Sequence, residues 1–248
     1  ELMRDYGGFE HNRQSLRIVD LLEHPYPDFA GLNLMYETRL GLARHSSTYD
    51  KSKADGFEEC NCSLEGQAAD LADRIAYNCH DLEDGMRACV ISSEQLSQVE
   101  IFGEVQSMIQ AAKMPDRTIR RTRTAKAIIE KLVSDCIDSS NDNIKDKGIE
   151  SLDAVYKCGE NLIALSKENE DKLCELEKFL MDNFYLDSSV TDTMVSVKVW
   201  LGMLFERFCD EPELMPGYYQ GFIAEYGLER AVCDYIGGMT DRFCLNTL

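Results

Sequence analysis

No stretch of the 248 residues approaches the roughly 20 consecutive apolar side chains that span a bilayer, which excludes a transmembrane helix. The start carries no basic-then-apolar leader pattern. Ten cysteines include no CxxC pair, so a zinc ribbon or a thioredoxin-like centre is not expected. There is no Walker-type glycine-rich loop, no GxSxG elbow and no HExxH helix. Internal repeats, low-complexity segments and sustained apolar–polar alternation are missing too. Basic charge is scarce. Lys and Arg number 26 against 45 Asp and Glu, a balance of −19, which disfavours general attraction to a nucleic-acid backbone or an anionic membrane. Any polyanionic ligand needs a local basic patch or a metal ion to meet it.

What is present is a globular composition, 44 % hydrophobic and 29 % charged, long enough for one large domain or a domain with an appendage. The periodicity is helical. Val197, Trp200, Leu201, Leu204, Phe205 and Phe208 fall on one helix face, and Ile128, Ile129, Leu132, Val133, Cys136 and Ile137 repeat the pattern. An all-α fold is expected. Pro25, Pro27 and Gly31 interrupt the first helical stretch, and the chain is expected to open at Glu1 already inside a helix. The polar run from Ser46 to about Cys62 reads as a loop, and Pro115-Asp116 as a helix start. The polar run Ser139 to Gly148 is the best subdomain boundary, giving parts 1–138 and 139–248. Pro212, Pro216 and Gly217 precede a last helix around Leu228 to Phe243. The thiols read as mostly reduced and buried in a cytosolic protein, with a Cys60, Cys62, Cys79 and His80 metal cluster as the alternative.

Three clusters carry candidate chemistry. Asp73, Tyr77, His80 and Asp84 are spaced 4, 3 and 4 apart and share a narrow helical arc, with Asp81 beside it. Such a stripe is costly to bury unpartnered, so it is either solvated or part of a site. Adjacent His80 and Asp81 diverge by about 100° on a helix and are poorly placed to share a metal. Gly7 to Ser15 (GGFEHNRQS) opens with a glycine turn and puts His11, Asn12 and Gln14 at a helix start, suited to anion binding or to capping. Arg117, Arg120, Arg121, Arg123 and Lys126 concentrate positive charge in an acidic chain, for phosphate contact or as solvated pairs with acidic neighbours.

Gly7 to Val19 (GGFEHNRQSLRIV), Gly31-Leu-Asn-Leu with Glu37-Thr-Arg39, Ser63-Leu-Glu65, the window Asp73 to Gly85 and Asp234-Tyr-Ile-Gly-Gly-Met-Thr-Asp-Arg242 resemble the deoxyguanosine triphosphate triphosphohydrolase (dGTPase-like) branch of the HD-domain phosphohydrolases over nearly the whole chain. The resemblance implies an HD-domain helical core with a helical C-terminal extension. It implies hydrolysis of a deoxynucleoside triphosphate to the deoxynucleoside and inorganic triphosphate, with a divalent metal (Mg, Mn or another transition metal) as cofactor. By the same resemblance Asp73 is the distal metal ligand, and Tyr77 packs on the deoxyribose and excludes a 2′-hydroxyl. Asp81 accepts from the 3′-hydroxyl, His11 lies near the α-phosphate, and Arg120 or Arg121 meets the β- and γ-phosphates. A homo-oligomer in the cytoplasm is expected, with no membrane partner and little support for nucleic acid.

One departure qualifies the resemblance. The family's first metal histidine, its His-Asp dipeptide and a catalytic histidine–glutamate segment precede the GGFEHN-type motif, and here only six residues precede Gly7. A start at Glu1-Leu2-Met3-Arg4 without an initiator methionine suggests a portion of a longer protein. The expectation is a catalytic domain present in part, with Asp73 the single remaining metal ligand and no activity in this chain alone. The alternatives are a dNTP-binding sensor that does not hydrolyse, and an HD phosphohydrolase of another nucleotide phosphoester.

Overall fold

The computed structural model describes residues 1–45 and 56–248. The expected loop from Ser46 therefore lies, up to position 55, outside the described residues. In chain order the helices are α1 (His11–Arg17, continued by a π-turn at Ile18–Leu22), α2 (Tyr36–Arg44), α3 (Leu64–Arg87), α4 (Ser93–Leu96), α5 (Glu100–Met108) and α6 (Arg117–Asp146). There follow α7 (Leu152–Lys157), α8 (Lys167–Leu180, continued by a π-turn at Met181–Tyr185), α9 (Ser188–Asp210), α10 (Gly217–Gln220), α11 (Ile223–Tyr226), α12 (Leu228–Gly237) and α13 (Asp241–Thr247). No strand occurs among the described residues, so the fold is all-α. No helix among them is long and apolar enough to cross a membrane.

The chain divides into two compact units, Leu34–Asp187 and the pair Glu1–Asn33 with Ser188–Leu248. The unit Leu34–Asp187 is built on α3 and α6, which pack along their lengths. Local chemistry sets both starts. Ser63 caps α3 by accepting from the Gly66 amide at 3.2 Å, and Asp116 caps α6 by accepting from Thr118 and Ile119 at 2.7 and 3.1 Å. Behind these helices Ile75, Cys79 and Leu82 of α3 meet Ile128 and Leu132 of α6 and Leu173, Leu176 and Leu180 of α8 in one core. Emptying one such leucine position to alanine costs about 2–5 kcal/mol.

The polar run at 139–146 is helix, not a break. Its polar groups are taken up by the strand of chain that returns beside it. The Ser140 hydroxyl is buried and accepts from the Ala164 amide at 3.1 Å, and the Asn143 amide donates to the Leu162 carbonyl at 3.2 Å. Helix α6 ends only where Gly148 takes a φ of +60°. The apolar face of α6 also differs from its pattern, because Val133 and Ile137 are exposed.

In the other unit α9 and α12 pack together, with Leu204, Phe205, Phe208 and Val232 buried between them. The chain does not open inside a helix. Residues 2–7 are turns, and Met3 joins this core. Gly7 and Gly8, with φ of +87° and +72°, bring the chain to α1, and the Gly8 amide donates back to the Met3 carbonyl at 2.8 Å. Gly31 (φ +72°) closes the return from α1, because a Cβ there would lie 2.4 Å from the Asp20 carbonyl oxygen.

Candidate functional site

Helix α3 presents its polar stripe along its length, and the stripe is not uniform. Asp73, His80 and Asp84 are exposed, while Tyr77 and Asp81 are half-buried and held from α8. The Tyr77 hydroxyl lies 3.4 Å from Glu177, and Asp81 accepts a hydrogen bond from the Tyr185 hydroxyl in the π-turn after α8. Inserted turns of this kind recur at functional sites. Glu177 is buried and accepts from Arg74 Nε at 2.7 Å and from the Asn78 amide at 3.1 Å. Arg74 also donates to both oxygens of Glu170, at 2.8 and 3.0 Å. Burial alone lowers the Arg74 pKa, and the bonds to Glu177 and Glu170 more than reverse that, leaving it above the ordinary arginine value. Tyr77 and Asp81 are thus oriented before any ligand arrives.

Asp73 lines a cleft of about 950 Å³ between α2 and the first half of α3, together with Glu37, His45 and Asp70. His45 Nδ1 lies 2.5 Å from the Asp70 carboxylate. Among the described residues no three His, Cys, Asp or Glu side chains converge where a metal ion could be held. The thiol cluster fails by the same observation. Cys79 is fully buried in the core, which pushes its pKa up to about 12, whereas Cys60 is exposed. Asp73 offers one carboxylate, and a single carboxylate does not hold a divalent ion tightly.

The basic cluster divides. Arg117, Arg120 and Arg121 line a pocket of about 390 Å³ with Arg87 from the end of α3. Arg123 and Lys126 are exposed and do not line it. Arg121 lies 3.6 Å from Glu83, whereas neither Arg117 nor Arg120 has a side-chain partner among the described residues.

His11 begins α1, in the other compact unit. Its Nδ1 is 3.2 Å from Glu10, whose carboxylate caps the helix by accepting from the Asn12 and Arg13 amides at 2.9 and 2.8 Å. The Glu10 carboxylate therefore caps this helix start. Nearly two turns further on, Arg17 Nε donates to buried Asp234 at 2.8 Å, and its terminal nitrogen lies 2.7 Å from the same carboxylate. Gln14 donates to the same carboxylate at 2.9 Å, and the Arg17 guanidinium lies 4.2 Å from the centre of the Tyr226 ring. The GGFEHNRQS segment and the Asp234–Arg242 segment therefore meet through Gln14 and Asp234.

Two residues here escaped the sequence reading: Glu177 and Tyr185. For Glu177 a signal exists, since Glu170, Cys174 and Glu177 recur at helical spacing on α8. Tyr185 carries none.

A family model described as a phosphohydrolase-associated domain matches residues 163–248. A deoxyguanosinetriphosphate triphosphohydrolase-like protein of Geobacter sulfurreducens is 40 % identical over 249 residues, 99 % of this chain and 65 % of that protein. Its namesake in Geobacter metallireducens is 39 % identical over 251 residues, again 99 % and 65 %. That of Nitrosomonas europaea is 40 % identical over 255 residues, covering 99 % of this chain and 67 % of the relative. The chain spans about 65 % of the length of the first of these curated relatives.

Proposed function

The chain belongs to the deoxyguanosinetriphosphate triphosphohydrolase-like family, and from that premise we propose that it is part of a metal-dependent hydrolase that converts a deoxynucleoside triphosphate into the deoxynucleoside and inorganic triphosphate. The observation that carries the reading is the pair Tyr77 and Asp81, one turn apart on α3 and both held from α8. In this reading the Tyr77 ring packs on the sugar and leaves no room for a 2′-hydroxyl. Asp81 takes a proton donor, the 3′-hydroxyl, on the carboxylate that Tyr185 orients. Steric exclusion plus one hydrogen bond supplies roughly 2–4 kcal/mol of selection for deoxynucleotides. Asp73 contributes one carboxylate to the divalent ion. Such an ion, when bound, lowers the pKa of a coordinated water and provides the nucleophile. Because the described residues supply one ligand, this chain's own share of the reaction is substrate recognition, and the chain alone does not turn over.

A second reading, a dNTP-binding sensor without hydrolysis, is favoured by the same single carboxylate. One assay separates the two. Triphosphate release from dGTP with Mn²⁺ is measured for this chain and for a longer form carrying the remaining length of its relatives. Release by the longer form alone supports the hydrolase, and release by neither supports the sensor. Equal release by both overturns the assignment of recognition alone to this chain. In the active form Tyr77→Ala narrows the preference for dGTP over GTP at least tenfold, and an unchanged preference removes Tyr77 from the site. Self-association belongs to the same proposal and is read by sedimentation.

A further inference from the structure

A cleft of about 430 Å³ beside the glycine turn lies wholly within the unit formed by Glu1–Asn33 and Ser188–Leu248. Gly7, Gly8 and α1 supply one part of its lining, and Tyr226 and Arg230 supply the other. Its charge runs against that of the chain. Arg13, Arg17 and Arg230 line it with Glu10 as the one carboxylate, whereas the whole sequence has 45 acidic side chains against 26 basic ones. The cleft takes one face of α1, that of Arg13, Gln14 and Arg17. His11 does not line it and sits roughly a third of a turn round the helix from the centre of that face.

The three arginines are not equivalent. Arg17 is paired with buried Asp234 and lies 4.2 Å from the centre of the Tyr226 ring, so it builds the wall. Arg230 is held by neutral groups. Its terminal nitrogen donates to the Gly8 carbonyl at 2.7 Å and to the Tyr6 carbonyl at 3.3 Å, and no carboxylate pairs with it among the described residues. Carbonyl oxygens fix a guanidinium in place without cancelling its charge. The turn that offers these carbonyls depends on positive φ at Gly7 and Gly8, +87° and +72°. Glu10 does not cancel the charge either, because its carboxylate is engaged by the Asn12 and Arg13 amides of the α1 start. Arg13 lines the same cleft and is exposed. Guanidinium groups meet the oxygens of a phosphate or a carboxylate in paired hydrogen bonds.

We propose that this cleft binds the oxoanion group, phosphate or carboxylate, of a small molecule, with Arg230 and Arg13 as its cationic contacts. The site does not rest on the hydrolase reading, since it shares no residue with Asp73, Tyr77, Asp81 or the arginines of α6. The test is hydrogen–deuterium exchange of the chain with inorganic pyrophosphate and, separately, with citrate, at low ionic strength and without added metal. The chain carries Arg120→Ala, so that the α6 pocket contributes little. Peptides covering residues 6–17 and 223–234 are expected to exchange at least threefold more slowly with one anion or both, and the responding anion identifies the ligand as phosphate or carboxylate. Calorimetric titration with that anion gives saturable binding, which Arg13→Ala and Arg230→Lys each weaken at least fivefold. Arg230→Lys keeps a donor for the Gly8 carbonyl, and circular dichroism verifies that both variants stay folded. Tyr77→Phe changes the affinity less than twofold. Absence of saturable binding by either anion, slowing confined to other peptides, or binding indifferent to both arginine variants overturns the site. A loss of binding in Tyr77→Phe overturns its independence of the substrate position. No turnover is needed, so failure of the hydrolase reading registers in the triphosphate-release assay and not here.

Discussion

In the unit formed by Glu1–Asn33 and Ser188–Leu248, Arg17 is clamped by Asp234, a carboxylate with no exposed side-chain surface, and covered by Tyr226. In the unit Leu34–Asp187, Arg117 and Arg120 face an open pocket without a carboxylate partner among the described residues. The same side chain serves opposite ends. A desolvated guanidinium is tolerable only when its charge is answered, so Arg17 and Asp234 must be kept or lost together. An unanswered guanidinium near a helix start contributes no bond to the fold and faces an unfavourable helix dipole. Arg74, answered twice by Glu177 and Glu170, is of the first kind although it shares a unit with the second.

The comparison breaks most visibly at Asp234. Asp234→Asn leaves the Arg17 guanidinium without its counter-charge and is expected to cost about 3 kcal/mol. That is the lower end for a broken buried pair, because 18 % of the Arg17 side chain stays exposed and solvent screens part of the loss. The one tryptophan, Trp200, lies on α9 in the same unit, so its fluorescence during urea unfolding reads the effect directly. A midpoint shift worth less than about 0.5 kcal/mol, the range of an ordinary surface change, would show that the pair is ornamental.

A smaller effect is expected at Glu177. Glu177→Gln keeps an acceptor for Asn78 but turns an amide N–H toward Arg74, which retains Glu170. The cost is about 1–3 kcal/mol, the range for a buried hydrogen bond to a charged group. The unfolding midpoint followed by circular dichroism measures it. Because Glu177 also approaches the Tyr77 hydroxyl, the same variant in an active form should lose part of the preference for deoxynucleotides. A stability loss with an intact preference would confine Glu177 to holding α3 against α8.

What the sequence made legible follows from how local each cause is. The α3 stripe and the cap Asp116 are set by neighbours within four residues, and they were readable. The continuation of α6 through 139–146 was not, because Ser140 and Asn143 look like loop residues until their partners at Ala164 and Leu162 are known. Tyr185 and Glu177 act on α3 from about 100 residues away, and Arg17 meets Asp234 across 217. Pairing at that range leaves no periodicity to detect. The arginine cluster lies between these cases. Its charge stood out in an acidic chain, but whether carboxylates answered it was a question of packing alone.

The smallest predicted effect tests the second kind of arginine most sharply, because its sign is unusual. Arg117→Ala removes a cation from the positive end of the α6 dipole and breaks no bond, so stability should rise by about 0.3–1 kcal/mol. The gain is electrostatic and should fade as salt is raised from 10 mM to 1 M, where the screening length falls from about 30 Å to about 3 Å. Urea midpoints at the two salt concentrations measure both statements. A side chain kept for the fold would lower stability when removed, and a midpoint that falls at either salt concentration places Arg117 in that class.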